Sequence, residues 1–539
     1  MAEWFEKRTL GGLLDLSVTL FGNKEALSFE GQRWSFIELL DSVDIVARGL
    51  IRLGVKPGDK ICLWMTNCPE WIFVFFAVAK IGAILVPINT RFRVTDMEYV
   101  LRQSDSSTLI MMDGSGPVNY LEMLREVCPE IDSRYESELG AHKFPQLKRV
   151  VVLGDDHPEG AVTWEDMMDS GSDLQAYGDA QVNVKPDDTV LLMYTSGTTG
   201  FPKGVMHSHN IQRTLVDAAS RMGMTSRDVI LMYLPLFHCF GLYEGPIMSV
   251  VSGARMVLMS SFDPAMVLDL IETERATVLN GFDTHFFDIT SHPNIHTKDK
   301  SSLRVALLAA GMASSESVAM RTQKDLCPTI TAWGMTEVGV GATRSYLDSS
   351  VDDRCLASGH PLPGYEFKII EPSTGEIQSF GDLGELCVRG YSLMQGYYKK
   401  EQETNEVIDQ DGWLHTGDVA VMREDFRMRF LGRYKDMLKV GGENVDPMEV
   451  EAYILSHPAV NKAQIIGISD NRLSEVPCAC IVLEAGHSLE LDELDQFCRG
   501  QMASFKIPRK LILMDDFPMT SSGKVQKFRL RELADEYFE

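Results

Sequence analysis

The residues best suited to chemistry begin at Tyr194-Thr195-Ser196-Gly197-Thr198-Thr199-Gly200-Phe201-Pro202-Lys203-Gly204, where four hydroxyls, three glycines and a lysine share one loop. Such a loop lets backbone N–H groups and Ser/Thr hydroxyls wrap phosphate oxygens, and Lys203 adds charge at its far end. A merely flexible loop would account for the glycines but not for the hydroxyls together with Lys203. It is not a Walker A motif, because no Gly-x4-Gly-Lys-Ser/Thr occurs. A second group, Trp333-Gly334-Met335-Thr336-Glu337, offers an aromatic face, a hydroxyl for a phosphate and a carboxylate for Mg²⁺. Asp418, in Leu414-His415-Thr416-Gly417-Asp418, can accept from both hydroxyls of a ribose, with Arg433 beside it as a charged donor. Lys524, in Thr520-Ser521-Ser522-Gly523-Lys524, sits on a loop and suits a cation needed for one step only. Taken singly, Glu337, Asp418, Arg433 and Lys524 are ordinary surface charges.

These residues must be positioned by the elements around them. Helical periods at 36–53, 71–81 and 96–103 alternate with apolar runs at 60–64, 84–87, 108–112 and 150–153. Strands alternating with helices predict a parallel α/β sheet. A polar stretch at 125–148 reads as a surface excursion. The alternation resumes with a strand at 189–194, a helix at 209–222 and further elements to 310, so two αβ halves follow one another. In this reading the phosphate loop joins a strand to the helix at 209. From about 345 the chain breaks into short strands at 367–370, 384–389, 419–422 and 428–431, punctuated by Gly and Pro, which suggests a small β unit. A tail after Arg433 carries its own helices at 447–456 and 491–502 and strands at 463–467, 478–483 and 511–514.

The whole chain has 539 residues, enough for roughly three compact units, and 45% hydrophobic residues, enough for several cores. Its net charge of −26 disfavours nucleic acid and anionic membranes as partners, so any anionic ligand must find local compensation. The ten cysteines form no Cys-x-x-Cys pair, and reduced thiols in a cytoplasmic protein are the simplest account. The start has no basic segment followed by an apolar run, so no signal peptide is read. The stretch at 71–87 is interrupted by Lys80 and falls short of the ~20 residues that a membrane span needs.

Taken in order, YTSGTTGFPKG, LPLFHCFG, WGMTE, GELCVRG, LHTGD, GRYKDMLKVGGENVDPMEVE and PMTSSGKVQKFRLREL resemble the adenylate-forming superfamily along nearly the whole chain. The tail, with CACIVLEAG and SFKIPRK, looks most like its medium-chain acyl-CoA synthetase branch. The resemblance implies an α/β fold with an N-terminal adenylation domain at 1–432. Within it lie αβ subdomains at about 1–180 and 181–345 and a β-barrel at 346–432. A hinge at 433–435 and a small mobile α+β domain at 436–539 follow. It also implies ATP, Mg²⁺ and coenzyme A. A carboxylic acid would attack the α-phosphorus of ATP, and CoA would then displace AMP from the acyl-adenylate.

Carried onto this chain, Thr195, Ser196, Gly197, Thr198, Thr199, Gly200 and Lys203 would hold the β,γ-phosphates. Trp333 would stack near adenine, with Gly311 and Gly334 also on the nucleotide side, and Thr336 would bind the α-phosphate. Glu337 would hold Mg²⁺, and Asp418 with Arg433 the ribose. Lys524 would bridge the acyl carboxylate and the α-phosphate, an electrostatic role that needs no general base because the acid is already ionised. Lys435 matches the hinge. Rotation there would withdraw Lys524 and present Lys439 and the Gly441-Gly442 turn to CoA. His238 would line the acyl pocket and gate the thiol's tunnel. There are departures: Trp333 stands where many relatives have Tyr, and the adenine side reads Ala309-Ala310-Gly311-Met312 rather than a glycine pair followed by Ala-Pro.

Segments matching the acyl pocket contain Phe240, Phe282, Phe286, Met312 and Trp333, with no evident cation for a second carboxylate. A neutral short-to-medium-chain acid is expected, since apolar walls reward burial of each CH₂ by about 0.8 kcal/mol. An aryl acid, loading of a carrier protein in place of CoA, and a non-catalytic nucleotide-binding role stand as alternatives. A homodimer is left open.

Overall fold

The computed structural model describes residues 6–133, 138–169, 174–195, 202–309, 315–339, 341–440, 443–470, 473–499, 501–519 and 525–538. Their architecture is α/β. One eight-stranded sheet runs in the order Gly396–Tyr397, Lys203–Ser208, Thr189–Thr195, Ile84–Pro87, Lys60–Trp64, Thr108–Met112, Arg149–Leu153, Val162–Thr163. A seven-stranded sheet runs Thr329–Ala332, Val305–Ala309, Val278–Gly281, Val229–Met232, Arg255–Leu258, Glu25–Phe29, Gln32–Ser35. Their central strands are parallel and buried on both faces, which is why they read as continuous apolar runs rather than alternating ones.

The helices follow their local signals. Phe36–Arg52 starts at a capping box in which the Ser35 hydroxyl accepts from the Glu38 N–H and the Glu38 carboxylate accepts from the Ser35 N–H. Pro69–Lys80 opens with proline at its first turn and is buried from Trp71 to Lys80, which explains the long apolar stretch. Among the described residues no helix is long and apolar enough to cross a membrane. All ten cysteines are buried free thiols.

Three expectations change. Sheet membership does not follow a linear division at 180. Glu25–Phe29 and Gln32–Ser35 join the seven-stranded sheet, where Leu27 pairs with Met256. Thr189–Thr195 and Lys203–Ser208 join the eight-stranded sheet through Leu191 and Leu85. Secondly, the loop after Thr195 does not lead into a helix. Lys203–Ser208 is a strand antiparallel to Thr189–Thr195, with Thr195 opposite Lys203, and the helix follows at Ile211–Arg221. Its Lys-Gly start and polar His207 hide a strand whose partners lie on both sides. Thirdly, the stretch at 125–148 is not all surface: Leu139, Ala141, Phe144 and Leu147 are buried in one apolar cluster with Leu109 and Val150.

Beyond the two sheets, the unit expected as a barrel is an antiparallel four-stranded sheet, Glu366–Ile370, Leu383–Arg389, Leu414–Met422, Met428–Arg433. Its apolar residues share a cluster with Trp333 and Val338, so it packs on the end of the seven-stranded sheet. After residue 437 a five-stranded sheet, built on the hairpin Val460–Asp470 and Ser474–Leu483, has two apolar clusters of its own. The molecule is therefore a large N-terminal domain followed by a small C-terminal one.

Candidate active site

The short turn Thr336–Val338 follows the edge strand Thr329–Ala332 and is fixed from three directions. His207, on the second strand of the hairpin, donates from Nε2 to the Thr336 carbonyl at 2.7 Å. Burial pushes the His207 imidazole down to about 4, so it is neutral at pH 7 and fit for this single donation. The Glu337 carboxylate accepts from the Tyr397 hydroxyl at 2.9 Å, and the Lys203 ammonium lies 4.2 Å from the centre of the Tyr397 ring. Val205 pairs with Tyr397 across the sheet edge, so the hairpin brings lysine, tyrosine and carboxylate into one row. On the third side Cys239 Sγ lies 3.8 Å from Thr336 Oγ1.

Trp333 is buried in the core cluster, and its indole N–H donates to Asp418 Oδ2 at 2.9 Å. The other Asp418 oxygen lies 2.9 Å from Arg433 Nε, across the strand pair in which the two residues are register partners. Gly417, at φ +68°, turns the backbone just before Asp418 in a conformation that favours glycine. Asp418 is thus buried but fully oriented. Trp333 presents less open ring than its sequence context suggests, and it also acts as a brace for Asp418.

The His238–Leu242 turn carries the apolar side. His238 Nδ1 accepts from the Phe240 N–H at 3.3 Å and caps the helix Cys239–Leu242. Asn67 ties this region down, since its Nδ2 donates to the Leu234 and Met259 carbonyls and its Oδ1 accepts from the Leu236 N–H. Phe240 and Phe282 meet edge to face with centroids 5.2 Å apart, and His285 packs against Phe262 at 4.8 Å and Tyr233 at 5.5 Å. Burial, and then the charge of Arg91, push His285 down to about 4. Arg91 is an exposed cation near this cluster that the sequence pattern did not single out. Beneath the cluster a π-helical turn, Tyr243–Ile247, places Glu244 in a wholly buried pair with Arg344. Thr343, the neighbour of Arg344, accepts from the Trp333 backbone N–H at 2.9 Å, so one two-residue strand reaches both sides of the site.

The structure therefore brings Lys203, Trp333, Thr336, Glu337, Asp418, Arg433 and His238 around one turn, with Gly334 exposed beside them. Thr195 is half-buried, its hydroxyl 3.5 Å from the Lys203 carbonyl at the loop end of the hairpin. Lys435 lies in the single turn Tyr434–Asp436 and Lys439 in the strand Leu438–Val440. Ser196, Gly197, Thr198, Thr199, Gly200, Gly311, Gly441, Gly442 and Lys524 lie outside the described residues. Sequence reasoning missed His207, Tyr397, Asn67 and the Glu244–Arg344 pair. A histidine directly after the apolar pair Val205-Met206 was the one available signal.

Two family profiles match the chain: AMP-binding enzyme over residues 14–398 and AMP-binding enzyme C-terminal domain over 449–524. The Bacillus subtilis (strain 168) protein YngI, named as an acyl-CoA synthetase, is 38% identical over 537 residues, covering 98% of each chain. The mitochondrial medium-chain acyl-CoA ligase ACSF2 of Rattus norvegicus is 33% identical over 98% of this chain and 88% of its own. Among solved structures, the anthranilate CoA ligase AuaEII in complex with anthranoyl-AMP superposes with a TM-score of 0.86 at 26% identity, covering 99% of this chain and 98% of that one. With the family profile spanning most of its length and relatives of this identity along nearly all of it, the chain belongs to the AMP-binding enzyme family.

Proposed function

We propose that the chain is an ATP-dependent acid–CoA ligase that activates a short-to-medium-chain carboxylic acid. The observation that carries this reading is the position of Thr336. Its carbonyl is held by His207, its neighbour Glu337 by Tyr397, and its hydroxyl lies 3.8 Å from Cys239 at the lip of the aromatic cluster. A phosphate bound at this hydroxyl would have polar groups on one flank and an acyl chain on the other.

In the first half-reaction an oxygen of the ionised acid bonds to the α-phosphorus of ATP and the bond to pyrophosphate breaks. In the second, the CoA sulfur bonds to the acyl carbon, AMP leaves and the thiol proton passes to solvent. Such transfers depend on positioning and charge stabilisation more than on proton abstraction. The loop from Thr195 to Lys203 orients the β,γ-phosphates, and Thr336 donates to the α-phosphate. Asp418, held by Trp333 and Arg433, accepts from the ribose hydroxyls. The residues present fit Mg²⁺, since one carboxylate combined with substrate phosphates makes an adequate site and Glu337 offers an oxygen not taken by Tyr397. When bound there, the ion would neutralise phosphate charge. Lys524 serves adenylation, whereas Lys439 and the Gly441-Gly442 turn serve thioester formation after rotation at Lys435. His238 borders the acyl chain.

The same rings support a second reading, an aryl acid. Phe240 and Phe282 already meet edge to face, and AuaEII is named as an anthranilate ligase. A panel of straight-chain and aryl acids, followed by pyrophosphate release and thioester formation with CoA, separates the two. Turnover confined to aryl acids overturns the alkyl assignment. Pyrophosphate release with no thioester unless a carrier protein is added overturns the CoA assignment, and no pyrophosphate with any acid overturns the ligase reading. Lys524→Ala is expected to lower adenylation about 10²–10³-fold while sparing thioester formation from a preformed acyl-adenylate. Equal loss in both steps overturns the division of labour.

A further inference from the structure

A cluster on the four-stranded sheet is used by none of the roles above. Its two central strands set Cys387 directly opposite His415, and Glu385 lies on the same strand two residues before Cys387. Cys387 Sγ is 3.6 Å from His415 Nδ1, and Glu385 Oε2 is 3.2 Å from the same nitrogen. Thiol, imidazole and carboxylate atoms all lie within 4.8 Å of one another. On the far edge of the imidazole, Asp409 Oδ2 is 3.6 Å from Nε2. Bonds of about 2.0–2.3 Å to a tetrahedral ion set its sulfur, nitrogen and oxygen ligands roughly 3.3–3.6 Å apart. The two distances from Nδ1 match those edges closely, and a small turn of the Glu385 side chain would close the third. The nearby cation Lys368, whose strand pairs with Cys387, has its ammonium 4.4 Å from the Trp413 ring centre.

We propose that Glu385, Cys387 and His415 form a binding site for a borderline-soft divalent cation of the zinc class, with water as the fourth ligand. The mixed sulfur, nitrogen and oxygen donor set selects such an ion over Mg²⁺ or Ca²⁺, which take oxygen ligands. Binding forms a metal–sulfur bond and breaks the S–H bond, and the proton goes to solvent. Cys387 is buried and Glu385 and His415 are partly exposed, so the ion enters from the carboxylate and imidazole side. Glu385 Oε1 meanwhile accepts from the Gly417 N–H at 3.0 Å, so one carboxylate would connect the ion to the turn before Asp418. The site is separate from Glu337, and its existence does not depend on which acid is activated.

The test uses the full chain, stripped with a chelator and titrated with Co²⁺ alone. A near-ultraviolet thiolate-to-cobalt charge-transfer band saturating at one equivalent, and bleached by Zn²⁺, is expected. Cys387→Ser should abolish the band and Cys128→Ser should keep it. His415→Gln should weaken Co²⁺ at least tenfold. Thermal transitions report whether each variant is folded; should Cys387→Ser fail to fold, His415→Gln and Glu385→Gln decide in its place. No band in the native protein, a band that survives Cys387→Ser, or native affinity in both His415→Gln and Glu385→Gln would each overturn the proposal.

Discussion

The two flanks of Thr336 are built by opposite means. On the polar flank each functional side chain has a protein partner: Glu337 has Tyr397, Asp418 has Trp333 and Arg433, and the Thr336 carbonyl has His207. On the aromatic flank the rings are fixed by packing, while the Tyr233 hydroxyl and Asn280 Oδ1 are buried without a hydrogen-bond partner among the described residues. The lesson concerns preorganisation. Groups that must meet charge are oriented beforehand, so little reorganisation is left for the reaction. Walls that meet hydrocarbon need shape more than orientation, and they tolerate unpaired polar atoms whose loss would cost little.

The contrast can be broken most severely where both flanks rest on one support. Arg344→Leu should leave Glu244 as a buried unpaired charge and destabilise the protein by about 3–5 kcal/mol, measured by denaturant unfolding. The double variant Glu244→Leu with Arg344→Leu should recover most of that loss. A single variant within 1 kcal/mol of the native protein would show that the pair does not support the site.

Acid tests both flanks together. His207 on the polar flank, His285 on the aromatic flank and His209 nearby are each pushed down to about 4 by burial. The unfolded chain takes up these protons below about 6.5, before the folded one does. Their stabilisation is therefore complete above about 6.5 and fades as the pH falls towards 4, by up to ~3 kcal/mol per histidine. Asp446, raised to about 6 by burial, has the opposite slope in the same window, and Asp217, Asp288, Glu316 and Glu451 are raised by burial less strongly, while His360, lowered by burial, slopes with the three histidines. Unfolding midpoints that stay flat between pH 7 and 4.5 would refute the account.

Smaller effects sharpen the comparison. Tyr397→Phe removes a donor to a carboxylate and should lower kcat/KM about tenfold, near 1.4 kcal/mol, with little change in stability. Tyr233→Phe removes an unpartnered hydroxyl and should be neutral or stabilising by up to ~1 kcal/mol in the same unfolding assay. Equal losses from both variants would erase the distinction between the flanks.

Much of the scaffold was legible because its signals are local. The buried strands Lys60–Trp64 and Thr108–Met112 announce themselves as apolar runs, and Phe36–Arg52 as an amphipathic period with its own cap. What was missed depends on partners far away in sequence. Lys203–Ser208 is a strand because Thr189–Thr195 and Gly396–Tyr397 pair with it, not because its residues favour one. Motif residues such as Glu337 and Asp418 were visible through their types and order. Their supports were not, since Tyr397 is 60 residues from Glu337 and His207 is 129 from Thr336. Side chains that orient other side chains leave no periodicity to read.

The exchange of strands between the two sheets also bears on the order of synthesis. Glu25–Phe29 finds its parallel partner only in Arg255–Leu258, more than two hundred residues later. Gln32–Ser35 can pair with it at once as a hairpin, but a nascent chain emerging at about 5–20 residues per second must leave the other edge of that strand unpaired for on the order of 10–50 seconds. Neither αβ unit can then close as a finished body before the other is largely made. The two are interlocked by topology, and a cut between them near residue 180 would leave each half missing strands that belong to its sheet.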